Sequence, residues 1–527
     1  MLLQYKYSCI YILLRHPVCR LLHVSLTTED TETLNCDNVS ESIMSQQNLE
    51  AFINVETKLE NDEHLCFRFL HNTLSVNKWI ISRMSSNQCV LGIDIGTTSV
   101  KCCLVDVVSK EVISSQKKDT PITGTEGNKQ DVPRILSALQ MCVSRLPREG
   151  MRKVKKIGVC GQMHGCMLWK HGEAWEQKPD SDRFEVGQVS NLYTWQDSRC
   201  SQEFLSSLPV PKSHQTVSTG FGCATLLWFS KFNRAGTIHD FLVCMLCGLD
   251  HPIMSLQIAA SWGYFNTVTK EWNYESLQEA GLQCDYLPKV VDSGEVVGKL
   301  ANAWYLIPAG TPVIASLGDL QCSVLPLLSK NSEAVINIST SAQICFKMPQ
   351  VRFNPEPIEY FPFFDNSYLA VAASLNGGNA LAAFVRTVQQ WSLDLGFQVP
   401  QSKIWQRILE LGGDPQSKSS LVIKPTIFGE RHTPMANADV SNIDLGNVSL
   451  AKVTRALCKG VITNIHSMMP RSMLVENGIT SIIGGGSALA RNPILLREIE
   501  ELYNLPVSID SRGDAAYGSA LAAINAK

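Results

Sequence analysis

The sequence predicts an α/β protein built as two related halves, and three segments carry that prediction. Residues 89–106, CVLGIDIGTTSVKCCLVD, run as an apolar strand to Asp94, turn through Gly96, Thr97, Thr98 and Ser99, and resume as a second apolar strand. Residues 334–348, AVINISTSAQICFKM, repeat the pattern, with Asn337 in the first strand and Ser339, Thr340 and Ser341 at the turn. Residues 481–504, SIIGGGSALARNPILLREIEELYN, pass from a β-branched strand through Gly484, Gly485, Gly486 and Ser487 into an amphipathic helix.

Composition agrees with a large globular chain. It has 527 residues, 45% hydrophobic and 18% charged, which is ample for two cores. The formal net charge of -3, with basic residues scattered, argues against a nucleic-acid or membrane-surface partner and for a small ligand. The 18 cysteines lie in apolar runs without framework spacing, as expected of buried reduced thiols in a cytoplasmic protein. Cys244 and Cys247 form one CxxC with no second pair or histidine cluster to complete a zinc site, so helix-core packing is expected of them.

Residues 1–83 differ in character. The opening run YSCIYILL is shorter than the roughly 20 apolar residues a membrane span needs. The acidic stretch TTEDTETLNCDNVSES fits an arginine-rich transit peptide poorly. A flexible extension outside the fold is expected, with Met84 a possible start of the folded part.

The two hairpins are unlike a Walker loop, because the turn joins strand to strand and not strand to helix. A tight turn of Gly, Thr and Ser leaves backbone N–H groups and hydroxyls uncovered, and these can hold phosphate oxygens at close range. Each turn alone also describes an ordinary hairpin loop. Two in corresponding places, each after a polar residue inside an apolar strand, would grip a triphosphate from both sides. A charged side chain in a buried strand is costly without a cation or partner, so Asp94 is the candidate for orienting Mg2+ through bound water. The glycines at 484–486 permit close approach of a ring or phosphate.

With DIGTTSVK, GQMHG, WQDSR, SLGDLQCS, INISTSAQ, SLNGGNAL, FGERH and GGGSALARN in this order, residues 88–525 resemble the FGGY carbohydrate kinases. The resemblance implies two ribonuclease-H-like, actin-like ATPase domains, 88–322 for sugar and phosphate and 330–525 for nucleotide, closing on an interdomain catalytic cleft. It implies ATP with Mg2+ as cofactors, a small-molecule sugar as substrate, and a monomer or homodimer.

A sugar hydroxyl is a poor nucleophile at neutral pH, and a carboxylate within reach can take its proton as the bond to phosphorus forms. The resemblance assigns that role to Asp319, where the β-branched run PVIASLG ends; helix capping is the competing reading. Recognition of a ketose falls to Gln162, Met163 and His164 and to Trp195 and Asp197. Gly96, Thr97, Thr98 and Lys101 are placed near the terminal phosphate, with Ser339 and Thr340 facing it. Gly378 and Asn379 frame the phosphates, and Gly485, Ser487 and Asn492 flank adenosine.

Two departures from the family stand out. Leu256 and Ile258 occupy places that are usually polar, and FSKFNRAGTIHD is short ahead of Thr237. Three readings stay open on the sequence: a kinase for one ketose, a kinase for another such as xylulose, and a nucleotide-binding member with impaired catalysis.

Overall fold

Strand β1 (Cys89–Ile95) lies between two neighbours that set the plan of the first half. It pairs antiparallel with β2 (Ser99–Asp106), which continues antiparallel into β3 (Val112–Asp119), and parallel with β4 (Val154–Gly161). β5 (Val296–Lys299), β6 (Pro312–Ile314) and the short β7 (Leu317–Gly318) complete a sheet ordered β5-β6-β4-β1-β2-β3, with β7 also pairing β4. In the second half β8 (Glu333–Ile338), β9 (Ala342–Met348), β10 (Ile358–Pro362), β11 (Tyr368–Ser374), β12 (Ser481–Gly485) and β13 (Val507–Ile509) are ordered β10-β11-β9-β8-β12-β13. Each sheet thus has an antiparallel hairpin whose first strand pairs parallel on its other side, the mixed sheet expected of each half.

This computed structural model describes residues 88–526 apart from 121–128, 179–180, 228–232, 353–356 and 434. The expectations for residues 1–83 and Met84, and part of the short stretch before Thr237, lie outside the described residues. Among the described residues no helix is long and apolar enough to cross a membrane.

Why β1 reads as a continuous apolar run follows from its two faces. Leu91, Ile93 and Ile95 join a core with helices α1 (Val132–Ser144) and α2 (Ile238–Cys247). The alternate positions, including Val90, face α8 (Ala515–Asn525), the last helix of the chain. The residues that helix buries are all Ala, Gly or Ser. The Cβ that Gly92 lacks would lie 2.0 Å from the Ala516 carbonyl oxygen, and that of Gly158 would lie 2.1 Å from the Ser519 oxygen. Gly518 itself abuts the backbone of α3 (Asp319–Val324), so the C-terminal helix wedges between the sheet and the helix that begins at Asp319.

The second sheet is covered by α4 (Gly378–Asp394), α5 (Leu450–Met468), α6 (Ser487–Arg491) and α7 (Pro493–Tyr503) around Ile336, Ile344, Leu457, Val461 and Leu495. The single amphipathic helix expected after the glycine cluster is two helices. Pro493 has no N–H and pushes Asn492 out of the helical region, to φ -127 and ψ 94, where its side chain accepts from Ile494 N and caps α7.

Gly518→Ala puts a methyl within 1.7 Å of the Cys322 carbonyl oxygen, with the carbonyl carbon and Cα of Cys322 also under 3.0 Å. We expect this variant to lose about 1–3 kcal/mol of stability, read as a lower thermal midpoint in calorimetry.

Candidate active site

Parallel strands deliver their ends to one edge. Ile95 of β1 pairs with Gly161 of β4, and Gly161 pairs with Gly318 of β7. The segments that follow, Gly96–Thr98, Gln162–His164 and Asp319, therefore emerge side by side, at the carboxyl ends of strands where open α/β sheets bind ligands. Hydrogen bonds knit the first two together. Trp195 Nε1 donates to Thr97 Oγ1 at 2.9 Å, Thr97 Oγ1 donates to Gln162 Oε1 at 3.4 Å, and Gln162 Nε2 donates to Gln130 Oε1 at 2.9 Å. Gln130 in turn donates to the Thr97 carbonyl oxygen at 2.6 Å. Thr98 is exposed at the tip.

Charge is concentrated at this edge. Burial pushes the Asp94 carboxyl up to about 8, with the charges of Asp319 and Asp514 adding and Lys101 opposing. Desolvation pushes Asp319 up to about 6, against the Leu320 N–H, its own N–H and Lys101. Leu320 N donates to Asp319 Oδ1 at 2.8 Å, but Asp319 is the first residue of α3 and Gly318 is its N-cap, without a side-chain capping bond, so the capping alternative does not hold. Lys101 stands opposite Asp94 in the β1–β2 register, on the same face. Its Nζ pairs with Asp514 Oδ2 at 3.0 Å. Burial pulls the Lys101 ammonium down, but Asp514 and Asp94 outweigh it and its proton is held more tightly.

Among the described residues no three His, Cys, Asp or Glu side chains converge as a metal cage. The carboxylates of Asp94 and Asp319, with a single ammonium between them and Asp514, fit a Mg2+ that arrives with phosphate oxygens and water and not one held by protein alone.

The adjoining wall is aromatic. His164 has φ 71°, an uncommon conformation for a non-glycine residue, and its ring stacks on Phe221 with centroids 4.4 Å apart. Its Nδ1 lies 2.8 Å from the Ser261 carbonyl oxygen. Burial, with help from the charge of Arg431, holds the imidazole well below its ordinary range, so the ring is neutral. A carbonyl only accepts, so Nδ1 carries the proton and Nε2 is left as an acceptor for a hydroxyl. Met163 is buried and its sulfur lies beside Gly318. Asp197 is buried with both oxygens engaged by Arg199, Nε to Oδ1 and Nη2 to Oδ2, each at 2.8 Å, and so anchors the Trp195 loop from within.

In the second half, Ser339 and Thr340 are clasped between two loops. Gly378 N donates to the Ser339 carbonyl oxygen at 2.9 Å and Asn379 N to that of Thr340 at 3.0 Å. Ser487 N donates to Ser339 Oγ at 3.2 Å. Gly486, at φ 95°, lies so close to Asn337 Oδ1 and Ile338 O that a Cβ would stand 2.3 Å from each. Gly485 closes β12 beside Asn337. The Asn379 side chain closes its own loop, accepting from Gly377 N and donating to Leu375 O, each at 2.8 Å. Asn492 is buried, capping α7 and donating to Cys458 Sγ at 3.5 Å.

Several residues of this region escaped the sequence reading. Leu256 and Ile258 are core, and the polar side chain between them, Gln257, reaches the edge by accepting from Gly318 N at 3.2 Å. Asp514, 413 positions from Lys101, carries no local signal. Glu430 is buried and its carboxylate accepts from Ser374 Oγ at 2.6 Å, Asn376 Nδ2 at 2.8 Å, Asn464 Nδ2 at 2.7 Å and Leu375 N at 2.9 Å. A Glu beside Arg in FGERH was the available signal.

Comparison with known proteins gives the same picture. The model of the FGGY family of carbohydrate kinases, N-terminal domain, matches residues 89–326. Sedoheptulokinase of Homo sapiens is 45% identical over 467 residues, which cover 83% of this chain and 98% of that protein. Sedoheptulokinase of Mus musculus is 44% identical over 466 residues, covering 83% of this chain and 98% of its own. The crystal structure of xylulose kinase from Rhodospirillum rubrum superposes with a TM-score of 0.69 at 15% identity, covering 83% of this chain and 89% of that one, a likeness of fold.

The raised Asp94 pKa makes the folded chain bind more protons than the unfolded one between the ordinary value of 3.8 and about 8. Its contribution to stability therefore falls as pH rises through that interval. Asp94→Asn removes the penalty, so thermal midpoints should match at pH 4 and the variant should be more stable at pH 8, by about 0.5–2 kcal/mol. Equal midpoints at pH 8 would contradict a buried, destabilising charge.

Proposed function

This chain belongs to the FGGY family of carbohydrate kinases, and from that membership we propose that it phosphorylates the terminal hydroxyl of a ketose, sedoheptulose, to give sedoheptulose 7-phosphate and ADP. The observation that carries the reading is the meeting of Asp319, the Gly96–Thr98 turn and the His164 wall at one strand edge. We assign sugar and first-turn phosphate contacts to residues 88–322 and nucleotide contacts to 330–525, with α8 returning to the first sheet.

In the proposed reaction Asp319 accepts the proton of the hydroxyl while that oxygen bonds to the terminal phosphorus of ATP. The bond from that phosphorus to the bridging oxygen breaks, and ADP leaves. A carboxyl with a pKa of about 6 is mostly ionised at pH 7 yet basic enough to hold the proton. Lys101 and the turn N–H groups face the transferred group from one side, Ser339, Thr340 and Ser487 from the other. Mg2+ bound with ATP supplies charge neutralisation at the phosphates. Asp94 would be the residue that holds it, and a divalent charge there would offset the burial that raises its pKa. Nε2 of His164 accepts from a sugar hydroxyl, Met163 packs along the carbon chain, Trp195 closes the wall, and Gln162 and Asp197 keep it rigid.

Fourteen described cysteines are free and most are buried, which supports a reducing, cytoplasmic setting; a monomer or homodimer is expected.

The test is ADP release by the purified full chain with ATP and Mg2+ across sedoheptulose, xylulose, ribulose, glycerol and no sugar. Preference for sedoheptulose supports the substrate; preference for another sugar keeps the kinase and discards sedoheptulose. Asp319→Asn should lower kcat by about 10²–10⁴-fold, and unchanged turnover refutes the base. In the wild type kcat/KM should fall on acidification through about pH 6, as Asp319 gains its proton.

A further inference from the structure

Arg431 belongs to the FGERH segment of the second half, yet its neighbours lie in the sugar segments of the first. Its guanidinium carbon stands 5.7 Å from the centroid of the Trp195 ring and 5.8 Å from that of Phe221. Those are cation–π distances. Phe221 is the ring on which His164 stacks, and Trp195 is the ring that donates to Thr97 of the first turn. A second aromatic from the same half as Arg431, Phe361, meets His164 edge-on at 5.9 Å. Glu359, two residues before it on β10, lies 3.8 Å from an Arg431 nitrogen.

That separation is too long for a direct hydrogen bond. Glu359 balances the charge of Arg431 from beyond hydrogen-bond distance, and the Arg431 side chain stays 25% exposed. The backbone beneath is fixed, because Glu430 is buried and its carboxylate is met by four donors from Ser374, Leu375, Asn376 and Asn464. Arg431 is thus a planar fork of donors, held by a rigid loop, facing a wall whose His164 offers an acceptor.

From this geometry we infer that Arg431 binds the acceptor ketose, as a specificity-determining residue contributed to the sugar wall by the second half of the chain. The inference deepens the kinase reading and rests on it. Hydroxyls of the sugar accept from the guanidinium while one of them donates to His164 Nε2, so the two halves read one molecule with complementary groups. A seven-carbon ketose carries more hydroxyls beyond its reacting end than a five-carbon one and gains more from an added fork. Because the donors come from the other half, bound sugar also links the two sides of the cleft.

The experiment measures KM and kcat for sedoheptulose, xylulose and ATP with the full-length wild type, Arg431→Ala and Arg431→Lys, with thermal midpoints as a check on folding. Loss of a hydrogen bond to a charged group should raise the sedoheptulose KM about 10- to 100-fold in Arg431→Ala, with kcat and the ATP KM within about threefold of wild type. The preference for sedoheptulose over xylulose should fall with it. Arg431→Lys, which keeps the charge but not the fork and reports even if the alanine variant misfolds, should fall between. An active wild type with an unchanged sedoheptulose KM in both variants overturns this inference alone. A rise confined to the ATP KM overturns it in favour of a phosphate contact, and a wild type silent with every ketose overturns the kinase reading together with it.

Discussion

A carboxylate at the end of a buried strand has few ways to stay there, and Asp94 uses most of them. It sits opposite Lys101 in the strand register, beside the N-terminal end of α8, and near a second carboxylate, Asp319, that makes its charge costlier. The cost is not fully met within the protein, since the carboxyl is still raised to about 8. A carboxyl that keeps its proton this far above the usual carboxylate range would ionise more readily beside a cation, and the Thr97–Thr98 turn, exposed at Thr98, stands next to it.

The rest of the fold brings those groups together and keeps them apart by the right amount. Parallel pairing of β4 with both β1 and β7 makes three strand ends coincide, so the Gly96–Thr98 turn, the Gln162–His164 segment and Asp319 share an edge. The small residues of α8 let that helix approach the sheet at backbone distance, and the Lys101–Asp514 pair ties its first turn to β2. With both side chains partly exposed, the pair adds little to stability and more to register. Matching geometry in the second half, with Ser339 and Thr340 held between Gly378 and Ser487, presents a second set of small donors.

What the sequence revealed is what short-range physics encodes. Alternation and turn chemistry marked β1, β2, β8 and β9 with their polar turns, because a strand buried on both faces and a Gly-Thr-Thr turn leave local traces. Motif order then brought in Asp319 and the GQMHG segment. Which way side chains are spent was not legible. Asp197 is taken by Arg199 two residues on, Asn379 closes its own loop and Asn492 caps a helix that Pro493 restarts. Each of those residues is polar, near a glycine or an aromatic, and looks the same in one dimension whether it faces a ligand or the backbone. Contacts such as Lys101–Asp514 or Arg431–Trp195 join positions hundreds of residues apart and exist only once the chain has folded back on itself.

At Leu256 and Ile258, where the family resemblance raised an expectation of polar side chains, the structure has apolar core. With Leu256 and Ile258 turned into the apolar core, the intervening Gln257 meets the Gly318 amide immediately before Asp319. The constraint at that point is a hydrogen-bond acceptor for a buried N–H at the strand end, since leaving the amide unmet would cost about 1–3 kcal/mol. An amide oxygen meets that need as a carboxylate would, and it does so without adding a further acidic group beside Asp94, Asp319 and Asp514. With both carboxyls already raised, a neutral acceptor is the less costly neighbour at the strand end that leads into Asp319.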